Sequence, residues 1–475
     1  MAQISSLMSV GRRSMMNSQT GLHTVGHNIA NKETEGYSRQ RTETHSNMAM
    51  GEGKVRIGMG ARAATVERTN NPYLEKQIGH ERSELATAQG RQQGLSRLEG
   101  IYNEQTVEGF NKSLGEFFNA FRELATNPES MPRRTAVKAA AEALTNDFHN
   151  MNSQLNDVSK DINSQLAISV NELNSYSNEI AALNKQIQEV EIGGGYANDE
   201  RDRRDLLLKK LGEVVDIKWT EGEDSTVTVS TANDALLVVG STASHLDAVA
   251  SPAREGKGEG DFDIVYYHND YAQPITLSDR IQGGRLGGLL SVRSGELQTL
   301  KNDMDRLAYT ITTEVNQAHG QGFNAYNQTG VMFFDHLNDP QGAAEYMKVS
   351  SHIASDSGRV AVGRDPHKPG DNRVALEIAE LQYAKPVFGG SQSIDEFYNG
   401  IIGELGIKNQ AINRQVDVKH NIVTQLNNLR ESISGVSLDE EAAKMIEMQK
   451  HFDAAARLIR TADEIMETVI NIKRY

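Results

Sequence analysis

Residues 437–470 read SLDEEAAKMIEMQKHFDAAARLIRTADEIMETVI, and their apolar spacing decides the fold class. Leu438, Met445, Phe452, Ile459 and Met466 recur every seven residues, with Met448, Ala455, Ala462 and Val469 as a second row. Such a repeat lines one side of a helix and calls for a partner helix along its length. Gly435 can end the preceding helix, and Ser437 with Glu440 has the S-x-x-E spacing of a capping box, so a new helix is expected to begin there.

The opposite end of the chain carries a matching pattern. Met8, Met15, Leu22 and Ile29 form one row; Ile4, Gly11, Ser18 and Val25 form the other. Both termini would leave apolar rows in water unless they covered each other or a neighbouring subunit, and spacing alone leaves both arrangements open. The first helix is interrupted at residues 28–41, NIANKETEGYSRQR, where Gly36 can release the chain from helical geometry and Tyr37 can pack with its hydroxyl in water.

Further helical patterns lie between. The longest runs from about Arg133 to Ile192, with a phase slip near Gln165, and the glycines at 193–195 close it. Others run from about Leu286 to Ala318 and, behind the capping box Ser393/Glu396, to about Ile433. Alternating apolar residues mark a small β region at 214–277, in STVTVS, ALLVVG, DFDIVYY and PITL. Residues 41–69 also look extended, with Val55, Ile57 and Met59 alternating, and residues 335–373 look like loop. The expected fold is mainly α: an elongated multi-helix bundle with paired N- and C-terminal coiled-coil helices and a small β region.

Composition agrees. Of 475 residues, 6% are aromatic, with a single Trp, which favours thin helical packing over a bulky globule. The absence of Cys removes disulfides, thiolate nucleophiles and Cys-based metal sites. A formal charge of −15 opposes binding to nucleic acid or to an anionic membrane. No apolar run is long enough for a membrane span, and the N-terminus lacks a cleavable secretory signal.

The sequence carries few motifs with chemistry in them. His23 and His27 have the four-residue spacing of two zinc ligands, but no Glu stands beside the first of them, so a polar helix flank is the better reading. The charged run NDERDRRD at 198–205 reads as exposed or inter-helix ion pairs, and the glycines of GEGKVRIGMG and GGRLGG as turns and close backbone packing. No nucleophile motif or triad emerges, so neither catalysis nor a cofactor is expected.

Four stretches together resemble a known family. NIANKETEGYSRQR, with Asn28, Ala30, Asn31, Thr34, Gly36 and Tyr37, is similar to the terminal signature of bacterial flagellar axial proteins. ERDRRDLLLKKLGEVVDIKW, the segment from GGRLGG to GFNA, and the C-terminal heptads narrow this to the flagellar hook-associated protein 1 family. The resemblance implies a non-enzymatic structural subunit at the junction of hook and filament. It implies self-assembly through the terminal rows (residues 1–35 and 436–475) around a body at 36–213 and 278–435. The implied partners are hook protein, the second junction protein next to the filament and an export chaperone on the C-terminal helix. Implied too is an extracellular location, reached through the flagellar exporter with the N-terminus uncleaved. Many members insert an outer β domain after GFNA; the short separation of Phe334 from Tyr346 suggests that it is missing here. The rival readings are another axial subunit, or a secreted enzyme or adhesin with axial-type termini.

Overall fold

A computed structural model describes residues 2–49, 58–102, 109–231, 235–251, 261–267, 273–385 and 391–472. Val55 and Ile57 of the expected alternation lie outside these residues.

The helices are α1 (Ala2–Ala30), α2 (Pro72–Tyr102), α3 (Phe110–Thr126), α4 (Met131–Ile192), α5 (Asn198–Val214), α6 (Gly284–Ser291), α7 (Gln298–Gly320), α8 (Ala343–Tyr346), α9 (Ser351–Ser355), α10 (Arg373–Glu380), α11 (Ile394–Ser434) and α12 (Leu438–Ile472). The strands are β1 (Gln40–Ser46), β2 (Ala61–Arg68), β3 (Ile217–Glu221), β4 (Val227–Thr231), β5 (Ala235–Val239), β6 (Thr242–Ala243), β7 (His245–Ala250), β8 (Phe262–Tyr267) and β9 (Ile275–Thr276). All pair antiparallel: β1 with β2, β3 to β6 in a four-stranded sheet, and β7 to β9 in a three-stranded one. The result is the helical bundle with paired terminal helices that the heptads imply.

α4, 62 residues long, is the spine. At 1.5 Å per residue it spans about 90 Å. Its buried positions step 4-4-3 through Met151, Leu155, Ser159 and Ile162, then again through Leu166, Val170 and Leu173. The slip expected at Gln165 is thus spread over two eleven-residue units, a period close to that of a straight helix. Gly194 takes a left-handed φ of +78°, and the Gly194 and Gly195 N–H groups cap the carbonyls of Glu191 and Val190.

Both small sheets hang on α4 through buried asparagines. Asn174 Nδ2 donates to the Leu246 carbonyl at 2.7 Å while its Oδ1 accepts the Leu246 N–H at 3.0 Å. Asn184 clamps Val227 in the same way, at 2.8 and 3.0 Å. Each amide replaces a missing strand neighbour, so the strand edge is satisfied inside the protein.

GGRLGG is a close helix crossing, as its glycines suggest. A Cβ on Gly288 would stand 2.4 Å from the Thr87 carbonyl oxygen, and one on Gly90 would stand 2.9 Å from that of Arg285. Beyond it α6 runs into a π-helical stretch, Val292–Leu297, which carries the buried Arg293 to the Asn163 side chain and the Phe262 carbonyl, each at 2.7 Å.

The few aromatic residues are concentrated. Phe117, Phe118, Phe121, Phe333 and Phe334 form one knot with neighbouring ring centroids 4.9 to 6.0 Å apart, closing α3 onto the segment that follows α7. Residues 335–373, expected as loop, contain α8 and α9, and a bridge between Phe334 and Val349 closes the excursion that holds α8.

Candidate functional site: the terminal stem and its joint

α1 and α12 pack antiparallel into a two-helix stem. A Cβ on Gly11 would stand 2.7 Å from Ile459 Cγ1, and one on Gly21 would stand 2.7 Å from Met448 Sδ, so the small residues of α1 receive the large ones of α12. Nearer the body, Asn28 Nδ2 donates to Glu441 Oε2 at 2.9 Å. Gly11, Ser18, Gly21, Val25, Ala455 and Ala462 are buried along this seam.

The larger seam residues are only half covered. Ile4, Met8, Met15, Leu22, Ile29, Met445, Met448, Phe452, Ile459 and Met466 all keep part of their surface in solvent. Leu438 and Val469, in the same rows, are exposed. The register explains this: carried on from the Asn28–Glu441 contact, Leu438 falls past the last turn of α1, and Val469 falls past Ala2, where α1 begins.

The β1–β2 hairpin lies against α1 as well. Asn17 accepts the Ala63 N–H at 2.7 Å and donates to the Ala61 carbonyl at 2.9 Å, and Arg13 donates to the Met59 carbonyl at 2.9 Å.

NIANKETEGYSRQR forms the joint between stem and body. Gly36 takes φ +83°, where a side chain is strained, and a Cβ there would also come 3.1 Å from Leu206 Cβ. Asn28 Oδ1 accepts the Tyr37 hydroxyl at 2.7 Å and the Gln40 N–H at 2.9 Å, and Nδ2 returns a bond to the Gln40 carbonyl at 2.9 Å. The Tyr37 hydroxyl is therefore not left in water, contrary to expectation. It is the centre of a polar cluster with His27 Nδ1 at 3.0 Å, and burial, with Asp199, Asp202 and Glu441 nearby, pushes its pKa up so that it remains a donor. Of the other signature residues, Asn31 bonds the His27 ring, Thr34 bonds Asn31, and Ala30 ends α1 in solvent.

Charge locks the joint. Arg39 donates from Nε to Glu441 Oε1 at 2.8 Å and reaches Glu440 at 2.9 Å, while its N–H caps the Ser434 carbonyl. Glu440 is thereby drawn away from the capping box expected with Ser437, whereas the box at Ser393 and Glu396 forms. Arg430 bonds Glu75 at 2.9 Å and the carbonyls of Gly36 and Tyr37, and Lys209 pairs with the same Glu75. Burial works to raise the pKa of Glu75, yet Lys209 and Arg430 together hold it below the usual carboxylate range.

The run NDERDRRD supplies the remaining anchors, and two of its members are buried rather than solvated. Asp202 accepts the Ser38 N–H at 2.7 Å and Arg68 at 2.9 Å, and burial raises its pKa despite Arg68. Arg204 is enclosed by Asn184, the Ser225 carbonyl and Glu221. Among the described residues, no group of three or more His, Asp or Glu is placed to hold a metal ion, and no helix is long and apolar enough to cross a membrane.

The geometry is thus a two-helix stem, α1 with α12, joined to a helical body. Residues 430–472 match the profile "Flagellar basal body rod FlgEFG protein C-terminal". Residues 95–334, just over half of the chain, match "Flagellar hook-associated protein FlgK helical domain", and the chain belongs to that family.

The chain is similar to Flagellar hook-associated protein 1 of Bacillus subtilis, 28% identical over 500 residues that cover 98% of this chain and 97% of the relative. It is similar to Flagellar hook-associated protein 1 of Escherichia coli at 25% over 554 residues, covering 99% and 100%. The solved flagellar hook junction protein FlgK from Burkholderia pseudomallei shares the fold, with a TM-score of 0.67 and 14% identity over 75% of this chain and all of that one. The family is one of structural flagellar proteins.

Proposed function

We infer that this chain is a structural subunit of the bacterial flagellum that joins hook to filament and polymerises through its terminal helices. The observation that supports this reading is the half-covered seam of α1 and α12: the ends pair, yet leave Met8, Met15, Leu22, Met445, Phe452 and Ile459 with surface for neighbouring subunits to bury. Residues 1–35 and 436–475 are the assembly unit in this account. The body at 36–213 and 278–435 and the β region at 214–277 stand outside it, and the closed excursion at 335–348 takes the place of a larger outer domain.

Its partners would be further copies of itself, hook protein on one side and the second junction protein on the other. An export chaperone would hold the C-terminal helix beforehand, and export would leave the N-terminus uncleaved and the chain outside the cell. The test is deletion of the gene with complementation. Cells should make hooks and shed unattached filament protein, and the plasmid-borne chain should restore filaments; normally attached filaments in the deletion strain would overturn the reading.

A further inference from the structure

α11 has two apolar faces, and among the described residues only one has a partner within the chain. Ile401, Leu405, Ile412 and Val423 are buried against the bundle, where α11 runs antiparallel to α2 through the pairs Asn409–Glu99, Asn413–Gln92, Lys419–Glu81 and Arg430–Glu75. The second face lies roughly 110° around the helix at 3.6 residues per turn. Ile407, Val418 and Leu429 form one row there, and Ala411, Ile422 and Ile433 form its neighbour, every interval being eleven residues.

An eleven-residue period keeps both rows almost parallel to the helix axis, over about 39 Å at 1.5 Å per residue. Ile407 is 69% exposed, Val418 57%, Leu429 49% and Ile433 39%. Amides rim the rows: Gln410, Gln415, Asn421, Gln425 and Asn428 are all exposed. The outer side of α12, by contrast, is charged, with Glu447, Lys450, Asp453 and Arg457 exposed. An apolar strip rimmed by amides and by the exposed Arg414 has the composition of a protein contact rather than of a solvated helix face.

The occupant follows from position. Only residues 435–437 separate α11 from the stem helix α12, so a copy lying alongside the stem also passes the last turns of α11, where Leu429 and Ile433 stand. We propose that this strip of α11 is a lateral contact with a second copy of the chain, extending the assembly surface from the stem onto the body. The proposal rests on the reading of the chain as a self-assembling axial subunit.

Site-directed photocrosslinking in assembled flagella tests it. p-Benzoylphenylalanine in place of Val418, or of the more exposed Ile407 as the second variant, is irradiated on cells that carry attached filaments. The expected product is a covalent dimer of this chain, absent from the dilute purified protein. An adduct with a different protein alone, or no adduct at either position while filaments remain attached, overturns the α11 contact and leaves the junction reading standing. Failure of the junction reading shows separately, as attached filaments in the deletion strain.

Discussion

Glu441 is enclosed at the joint, where it holds Arg39 and Asn28 together. Glu441→Ala leaves the half-buried Arg39 guanidinium with the exposed Glu440 alone and removes one acceptor of Asn28 Nδ2; breaking a buried pair from one side costs about 3 kcal/mol, less the share that Glu440 retains. The expected result is faster amide exchange at residues 28–40 and a lower urea midpoint; unchanged exchange there would contradict the role given to Glu441. His319 is fully buried: its Nδ1 donates to the Val331 carbonyl at 2.7 Å and its Nε2 accepts the Ala361 N–H at 2.8 Å. Burial pushes its pKa from 6.5 down to about 4. Because the folded value lies below the unfolded one, the stability held by the neutral ring is complete above the unfolded pKa and is lost as pH falls towards the folded one. The loss amounts to something on the order of 3 kcal/mol. Urea unfolding should show this fall between neutral and acidic pH, and His319→Gln should flatten it. Gly36 and Tyr37 stand out in the sequence because a helix visibly stops there. Glu441 and His319 do not, since nothing local distinguishes a buried acid on a heptad flank or a histidine whose partners lie 12 and 42 residues away.

At the scale of elements, close crossings and asparagine clamps set the packing. Gly288→Ala puts a methyl group against the rigid Thr87 carbonyl, so α2 and α6 must separate, at a cost of about 1–3 kcal/mol for an overpacked contact. A thermal melt unchanged from the parent would refute the crossing. Asn174→Ala leaves the Leu246 N–H and carbonyl buried without partners, at about 1–3 kcal/mol for each group. Exchange should rise in β7 while α2 and α11 stay protected. Helix starts and stops are legible wherever a glycine or a capping box marks them, as at Ser393 and Gly193. The clamps are not, because an Asn in a helical core phase, as at 163, 174 and 184, looks like ordinary polar composition. Its meaning depends on a strand edge far along the chain. The missing box at Ser437 has a similar cause: Arg39, some 400 residues away, competes for Glu440.

For the whole molecule, the two ends of the chain carry the architecture. Their seven-residue rows foretell a terminal pairing, and the pairing is present between α1 and α12. What the rows could not say is which side would be closed. The small residues of α1 are buried, and the large apolar ones stay half open, because two helices alone cannot surround side chains the size of Met and Phe. Incorporation at the hook tip tests that half-open seam. Phe452→Asp and Ile459→Asp should each leave the body's helical content and melting intact, since the stem stands apart from the aromatic knot. Both should abolish incorporation, because a neighbouring copy would have to bury an unpaired carboxylate at a cost of several kcal/mol, roughly. Hook tips that carry either variant at the parental level, with filaments attached, would contradict the account.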